Sequence, residues 1–340
     1  MSTTMRAYQL TNPGLESLTL VELPMPEPGP GQVLVRMRAS SLNYRDLLVA
    51  TNRYGRGLPP YPLIPLSDGA GEIISVGDGV QRLKVGDRVI GNFFQQWFDG
   101  PFDKAKGASA LGGAIDGVLA EFVLFNEAAA VRIPESLSFE EASTLPCAGL
   151  TAWVALVTAG ELKPSDTVLV MGTGGVSIFG LQIAKQLRAH VIITSSSDRK
   201  LARARQLGAD EFVNYKKSPA WDERVLELTS GRGVDQVLEV GGSETLPLSL
   251  RATRVGGHIA LIGLLTGSFP NVDAAKQNDR RARISSIYVG SAHQLSNLCE
   301  FIGLGHWRPV VDRVFSFEAV AEAYGYLEAQ KHFGKIVVRF

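Results

Sequence analysis

Two rhythms of apolar and polar positions divide the chain. Up to about residue 125 the apolar stretches are short, alternate with polar residues and are bounded by Gly and Pro. Gln32–Ala39, Gly71–Gly77, Val85–Ile90 and Ala120–Phe125 all read as strands. Nine of the 17 prolines fall between residues 13 and 65, which suits a loop-rich half-barrel and excludes a helical bundle. The stretch Asn92 to Gly113 carries Phe93, Phe94, Trp97, Phe98 and Phe102. It reads as a long loop whose aromatics either pack on the body, the reading preferred here, or line a cleft.

From about residue 130 the rhythm changes. Asp166–Met171 is a continuous apolar run, the signature of a strand buried on both faces. Phe179–Leu187 has helical 3–4 spacing, His190–Thr194 reads as a strand, and Lys200–Leu207 reads as a helix stopped by Gly208. Glu211–Asn214, the helix Trp221–Thr229, the strand Val234–Val240, a helix over Leu246–Arg254 and the strand His258–Ile262 continue the alternation. Strand and helix at this spacing predict βαβ units and a parallel, doubly wound sheet. Helices over Gln294–Ile302 and Phe317–Glu328 and a strand over Lys335–Phe340 follow.

Composition narrows the function classes. At 340 residues the chain calls for two domains. Lys+Arg and Asp+Glu are equal at 34 each, so no basic excess points to nucleic acid or an anionic membrane surface. No apolar run reaches the ~18 residues that span a bilayer, and the N-terminus lacks the order of a secretory signal. A cytoplasmic enzyme is the expectation. Two cysteines, Cys147 and Cys299, exclude a disulfide framework and a four-cysteine zinc lobe. The 36 glycines are an excess over the ~7% average, which directs attention to where they cluster.

One cluster is Gly172-Thr173-Gly174-Gly175-Val176-Ser177, which follows a predicted strand and opens a predicted helix. In that context the pattern is a dinucleotide fingerprint. Gly172 makes the tight turn, Gly174 admits a pyrophosphate to the backbone, and the helix N-terminus supplies N–H groups. The second strand ends at Ser195, where an NAD site carries an acid, and Arg199 and Lys200 follow. Hydroxyls and cations accept a 2′-phosphate that a carboxylate would repel, so NADPH is expected, with NADH still admissible. Asp198 is expected to cap the next helix.

The chain as a whole resembles the medium-chain dehydrogenase/reductase superfamily. The motifs that carry the likeness are Gly31-Gln-Val-Leu-Val35, Ser41-Leu-Asn-Tyr-Arg-Asp-Leu-Leu48, Ile64-Pro-Leu-Ser-Asp-Gly-Ala-Gly71 and Lys84-Val-Gly-Asp-Arg-Val89. Asp116–Glu121, Leu145–Trp153, the Gly172 turn and His332–Val337 complete them in order. The resemblance implies an α/β fold: a GroES-like β-rich catalytic domain from residues 1–130 and 288–340, and a Rossmann doubly wound parallel-sheet domain from 131–287. It also implies a cofactor cleft between them and a homodimer. By matched position it adds Thr151, Tyr215, Gly241, Gly263, Leu264, Val289 and Gly290 to the cofactor contacts.

The departures select a branch. Zinc alcohol dehydrogenases place a Cys where Asn43 stands and a His-Glu pair where Ser67-Asp68 stands, and their third ligand coincides with Cys147. One thiol with an amide and a hydroxyl is a poor zinc shell, so no metal is expected. The chain is similar to zinc-independent quinone and enone reductases. Without a Lewis acid, charge developing on the substrate oxygen needs hydrogen-bond donors, and Asn43, Tyr44 and Tyr54 are the candidates. The expected partner is a small carbonyl, enone or quinone. Carbonyl reduction with alcohol oxidation, metal-assisted or not, and a catalytically silent dinucleotide-binding protein remain open.

Overall fold

The structure is a computed structural model, and it describes residues 3–54, 59–263, 265, 279–305 and 307–340. Their contacts divide the chain into Met1–Leu150 with Val289–Phe340, and Thr151–Tyr288. The first boundary therefore lies later than the expected 130/131. The segment after residue 130 is tied to the first unit by hydrogen bonds. Ser41 Oγ donates to Ser143 O at 2.9 Å, the Cys147 N–H to Asp68 Oδ2 at 3.2 Å, and Arg339 Nε to Glu140 Oε1 at 2.7 Å.

The first unit begins with strands β1 (Thr4–Leu10), β2 (Leu18–Pro24) and β3 (Gln32–Leu42), then helix α1 (Tyr44–Ala50). β4 (Asp68–Val76), β5 (Arg88–Gly91), β6 (Phe122–Asn126) and β7 (Ala130–Arg132) follow. The second unit holds β8 (Thr167–Val170), α2 (Gly175–Gln186), β9 (His190–Ser195), α3 (Asp198–Gln206) and β10 (Glu211–Asn214). It continues through α4 (Trp221–Leu228), β11 (Val234–Glu239), α5 (Leu246–Ala252), β12 (Thr253–Leu261) and β13 (Arg283–Ser286). The chain then returns to the first unit with α6 (Ala292–Gly305), β14 (Val311–Ser316), α7 (Val320–Glu328) and β15 (Lys335–Arg339).

In the first unit β1 pairs with β2, and a seven-stranded sheet runs β14-β15-β3-β4-β5-β7, with β6 also on β3. β15 lies antiparallel to β3, with Ile336 opposite Leu42. That register sets Lys335 beside the start of α1, 293 residues away in sequence from Leu42, whose carbonyl it meets. The core gathers Val33, Val35, Met37, Leu47, Phe125, Phe317 and Tyr324, all at most 2% exposed. The aromatics of Asn92–Gly113 pack as expected. Phe93 and Phe94 are buried with ring centroids 4.7 Å apart, and Trp97 sits 5.6 Å from Phe94, while Phe98 and Phe102 keep 40% of their surface.

The second unit is the expected doubly wound sheet. Its strands run β10-β9-β8-β11-β12-β13, all parallel. The order reverses between β8 and β11, and ligands of open α/β sheets bind beyond the strand ends at such a point. Every residue of β8 and β11 is buried, as in central strands of a parallel sheet; β8 reads as apolar for that reason, while β11 also buries Asp235, Gln236 and Glu239.

Candidate functional site

The loop after β8 stands at that reversal. Gly172 has φ +74°, a left-handed conformation natural only to glycine. Its N–H meets Thr194 Oγ1 at 3.3 Å. Gly174 precedes α2 in an extended conformation, and a Cβ added there would find no atom within 4 Å. Gly175 and Val176 open the helix partly exposed, and Thr173 is buried. Ser177, at the fingerprint's last position, buries its hydroxyl on Met171 O at 2.7 Å. The close helix-to-sheet approach falls on Gly180 instead, whose Cβ would lie 2.2 Å from Leu238 Cδ1. Exposed N–H groups at a helix start, with open space over Gly174, fit a dinucleotide pyrophosphate.

The end of β9 has no acid in the ribose position. Ser195 is buried, its Oγ accepts from the Ser197 N–H at 3.2 Å, and its carbonyl accepts from the Tyr215 N–H at 3.2 Å. The cap of α3 is Ser197, which accepts from the Lys200 N–H at 3.4 Å, and not Asp198. Asp198 is one residue too far along to cap. It takes Lys217 Nζ and Asn214 Nδ2, both at 2.7 Å, and these hold its carboxyl below the usual range. Arg199 is exposed, Lys200 is half-buried and Tyr215 is 40% exposed.

At the end of β11 lies a group that the sequence did not single out. Glu239 is fully buried and its carboxylate accepts from the Gly241 and Gly242 N–H groups and from Thr245 Oγ1 at 2.7–3.2 Å. Ser249 Oγ donates to its other oxygen. Glu239 thus shapes the loop beside the phosphate turn. Gly241 must stay bare, because its Cβ would meet Thr245 Oγ1 at 2.1 Å, and Gly263 because its Cβ would meet Val240 O at 2.1 Å. Leu264 lies outside the described residues. Thr151 is buried within a helical run over 145–158, not at its start. Val289, a β-branched residue held at φ +57°, and Gly290, whose carbonyl accepts from Asn92 Nδ2 at 3.4 Å, belong by contacts to the first unit.

Within the first unit the departures from the zinc pattern meet in one buried cluster of two cations and two anions. Arg45, Asp46, Asp68 and Lys335 are each at most 8% exposed. Asp46 bonds Arg45 Nη1 at 3.0 Å and the Asn43 N–H at 2.8 Å. Burial, which outweighs Arg45, pushes the Asp46 carboxyl up to about 6. Asp68 accepts from Ser67 Oγ at 2.8 Å and from the Cys147 N–H at 3.2 Å. Lys335 Nζ donates to Leu42 O at 2.7 Å and Asn43 Oδ1 at 2.5 Å, and lies 3.6 Å from Asp68 Oδ2. Asn43 is 8% exposed and its Nδ2 is buried without a partner. Tyr44 is half-buried against the core, and Tyr54 lies with its ring 5.3 Å from the Arg45 guanidinium.

Zinc does not fit this donor set. Asn43 Oδ1 and Asp68 already face an ammonium, Ser67 is turned onto Asp68, and burial with the nearby Asp68 carboxylate pushes the Cys147 thiol well up. A cation would have to replace these hydrogen bonds and meet the Lys335 charge, with Cys147 as its one sulfur ligand. Lys335 lies in the His332–Val337 motif but is not among the candidate site residues of the sequence. The signal that could have found it is a lysine heading a strand whose neighbours Ile336, Val337 and Val338 are all apolar.

Comparison with known proteins decides the family. Residues 29–135 match the alcohol dehydrogenase GroES-like domain and residues 175–303 the zinc-binding dehydrogenase domain. A zinc-type alcohol dehydrogenase-like protein of Schizosaccharomyces pombe (strain 972 / ATCC 24843) is 43% identical over 334 residues, covering 96% of each chain. The chain belongs to the medium-chain dehydrogenase/reductase superfamily. Another member, a quinone oxidoreductase of Pseudomonas aeruginosa (strain PAO1), is 32% identical over 326 residues and 92% of each chain. The crystal structure of an NAD-dependent alcohol dehydrogenase from the same superfamily superposes with a TM-score of 0.88 at 36% identity, over 99% of this chain and 100% of that one. The chain is an NAD(P)-dependent oxidoreductase with the GroES-like and Rossmann domains of the superfamily. Among the described residues no helix is long and apolar enough to cross a membrane.

Proposed function

We propose that this protein is an NADPH-dependent reductase of α,β-unsaturated carbonyls or quinones that works without a metal. The observation that carries the reading is Asn43, buried and with an unpaired Nδ2, where zinc members of the superfamily hold their first ligand. An amide N–H there donates to a carbonyl oxygen, and the bond strengthens as charge builds on that oxygen. Gly172, Gly174 and the start of α2 hold the dinucleotide phosphates, and Glu239 keeps the neighbouring loop in shape. When bound, NADPH supplies a hydride to the β-carbon of the substrate. Conjugation carries the charge to the oxygen, Asn43 Nδ2 stabilises it there, and solvent returns a proton to the α-carbon. Tyr44, half-buried against the core, and Tyr54, beside the Arg45 guanidinium, are the further donors proposed for the same oxygen. Ser195 and exposed Arg199 support NADPH over NADH.

The names of two relatives favour a second reading, NAD-linked alcohol oxidation. One panel separates the readings: cyclic enones, quinones, aldehydes and secondary alcohols with each nicotinamide, with and without EDTA. EDTA-insensitive turnover of enones or quinones with NADPH is expected. EDTA-sensitive alcohol oxidation with NAD would replace this reading with the second. We also infer a homodimer through β13, the edge of the six-stranded sheet.

A further inference from the structure

An amide can present either its oxygen or its nitrogen, and only the nitrogen can stabilise a developing oxyanion. We infer that Lys335 is the positioning residue that decides this: its ammonium holds Asn43 Oδ1 and so leaves Nδ2 as the donor. The inference rests on the function proposed above, which makes Asn43 that donor.

The orientation is forced by chemistry. An ammonium has three donors and no acceptor, so an inverted Asn43 amide would set donor against donor. Lys335 is 2% exposed and cannot exchange its partners for bulk water. Its nitrogen is held from two further sides, by Leu42 O at 2.7 Å and by Asp68 Oδ2 at 3.6 Å. Asp68 is itself fixed by Ser67 Oγ and the Cys147 N–H. The Asn43 backbone cannot swing, because its N–H is anchored on Asp46 Oδ2 at 2.8 Å. What is left is Nδ2, buried and without an acceptor, an arrangement that costs stability unless a ligand uses it. The Lys335 ammonium beside Oδ1 also draws electron density through the amide and strengthens the Nδ2–H donor.

A double-mutant cycle on the full-length protein tests this, with Asn43→Ala, Lys335→Gln and the pair. The glutamine keeps most of the length and a donor, and Lys335→Met is the second variant should Lys335→Gln fail to fold. Each is measured on the carbonyl substrate that wild type reduces fastest. Asn43→Ala is expected to lower kcat about 100-fold. Lys335→Gln should lower it about tenfold in the native background and less than about twofold in the Asn43→Ala background, with KM for NADPH unchanged. A purely structural lysine would lower kcat in both backgrounds alike or raise the NADPH KM, and either result overturns the inference. The same cycle is run on binding of 4-nitrophenol, an oxyanion mimic, read by its absorbance. Absence of turnover on every carbonyl would end the functional reading, and the inference is then decided by whether Lys335→Gln weakens 4-nitrophenol binding only when Asn43 is present. Equal weakening in both backgrounds, or no binding to wild type, would reject it.

Discussion

Under the NADPH reading proposed above, the Ser195 hydroxyl is what admits the cofactor's 2′-phosphate. A carboxylate there would repel a 2′-phosphate and accept from a ribose 2′-OH. Ser195→Asp is therefore expected to move the NADPH-to-NADH ratio of kcat/KM about 10- to 100-fold toward NADH. Steady-state kinetics with both nicotinamides checks it, and an unchanged ratio removes Ser195 from the assignment. Asp46 gives a second residue-scale expectation. Its folded pKa of about 6 exceeds the ~3.9 of an unfolded Asp, so between those values the native state holds the proton and the unfolded chain does not. Its contribution is thus favourable at low pH and is lost as pH rises from about 4 through about 6. Asp46→Asn, which keeps an acceptor for the Asn43 N–H, should flatten that slope in urea titrations at stepped pH. Residues such as these were partly legible beforehand. Ser195 and Asn43 announced themselves by what they replace, whereas Lys335 and Glu239 matter through partners that only the folded chain brings to them.

Elements with strong periodicity follow the sequence closely: Glu211–Asn214 is the strand expected, and the helix after the Gly172 turn starts four residues before the expected Phe179 and ends one before the expected Leu187. That early start is itself informative, because Gly175–Ser177 has no apolar stripe to announce a helix. β13 and β14 were missed for a related reason. Arg283–Ser286 and Val311–Ser316 are edge strands with mostly exposed or half-exposed side chains, so neither alternates cleanly. The capping error has the same character, since Ser197 and Asp198 are both good caps and backbone geometry chose between them. For the turn element, Gly174→Val is expected to leave the melting temperature within about 2 °C, because the extended backbone accepts a β-branched residue and its Cβ meets open space. NADPH affinity should fall at least about tenfold as the side chain takes the phosphate's room. Isothermal titration and a melting curve separate the two effects.

At the scale of the whole molecule, the α/β class and two-unit plan were visible in the change of rhythm, but the boundary was not. Ser138–Gly149 has helical character like the second unit, and its allegiance is set by long-range bonds to Ser41, Asp68 and Arg339. Ligand binding should be read out unevenly for the same reason. NADPH at 100 times its Kd is expected to stabilise the native state by about 2.7 kcal/mol. Hydrogen exchange should show the slowing concentrated in Thr151–Tyr288, most at the Gly172 turn and the Glu239 loop. Slowing confined to the first unit would move the dinucleotide site elsewhere.

The place of Lys335 also gives the site a history. Residues 151–288 form their sheet from one uninterrupted stretch, so that unit can order as it leaves the ribosome. Asn43 emerges early and its lysine follows 292 residues later. At ~5–20 residues per second the nascent chain carries the unpaired asparagine and an exposed β3 edge for roughly 15–60 s. During that interval the Rossmann domain can already be folded while Asn43 lacks its lysine, and the unpaired strand is open to chaperones or to another nascent copy. The strand that pairs with residues 39–42 of β3 is thus also the one that brings Asn43 its lysine.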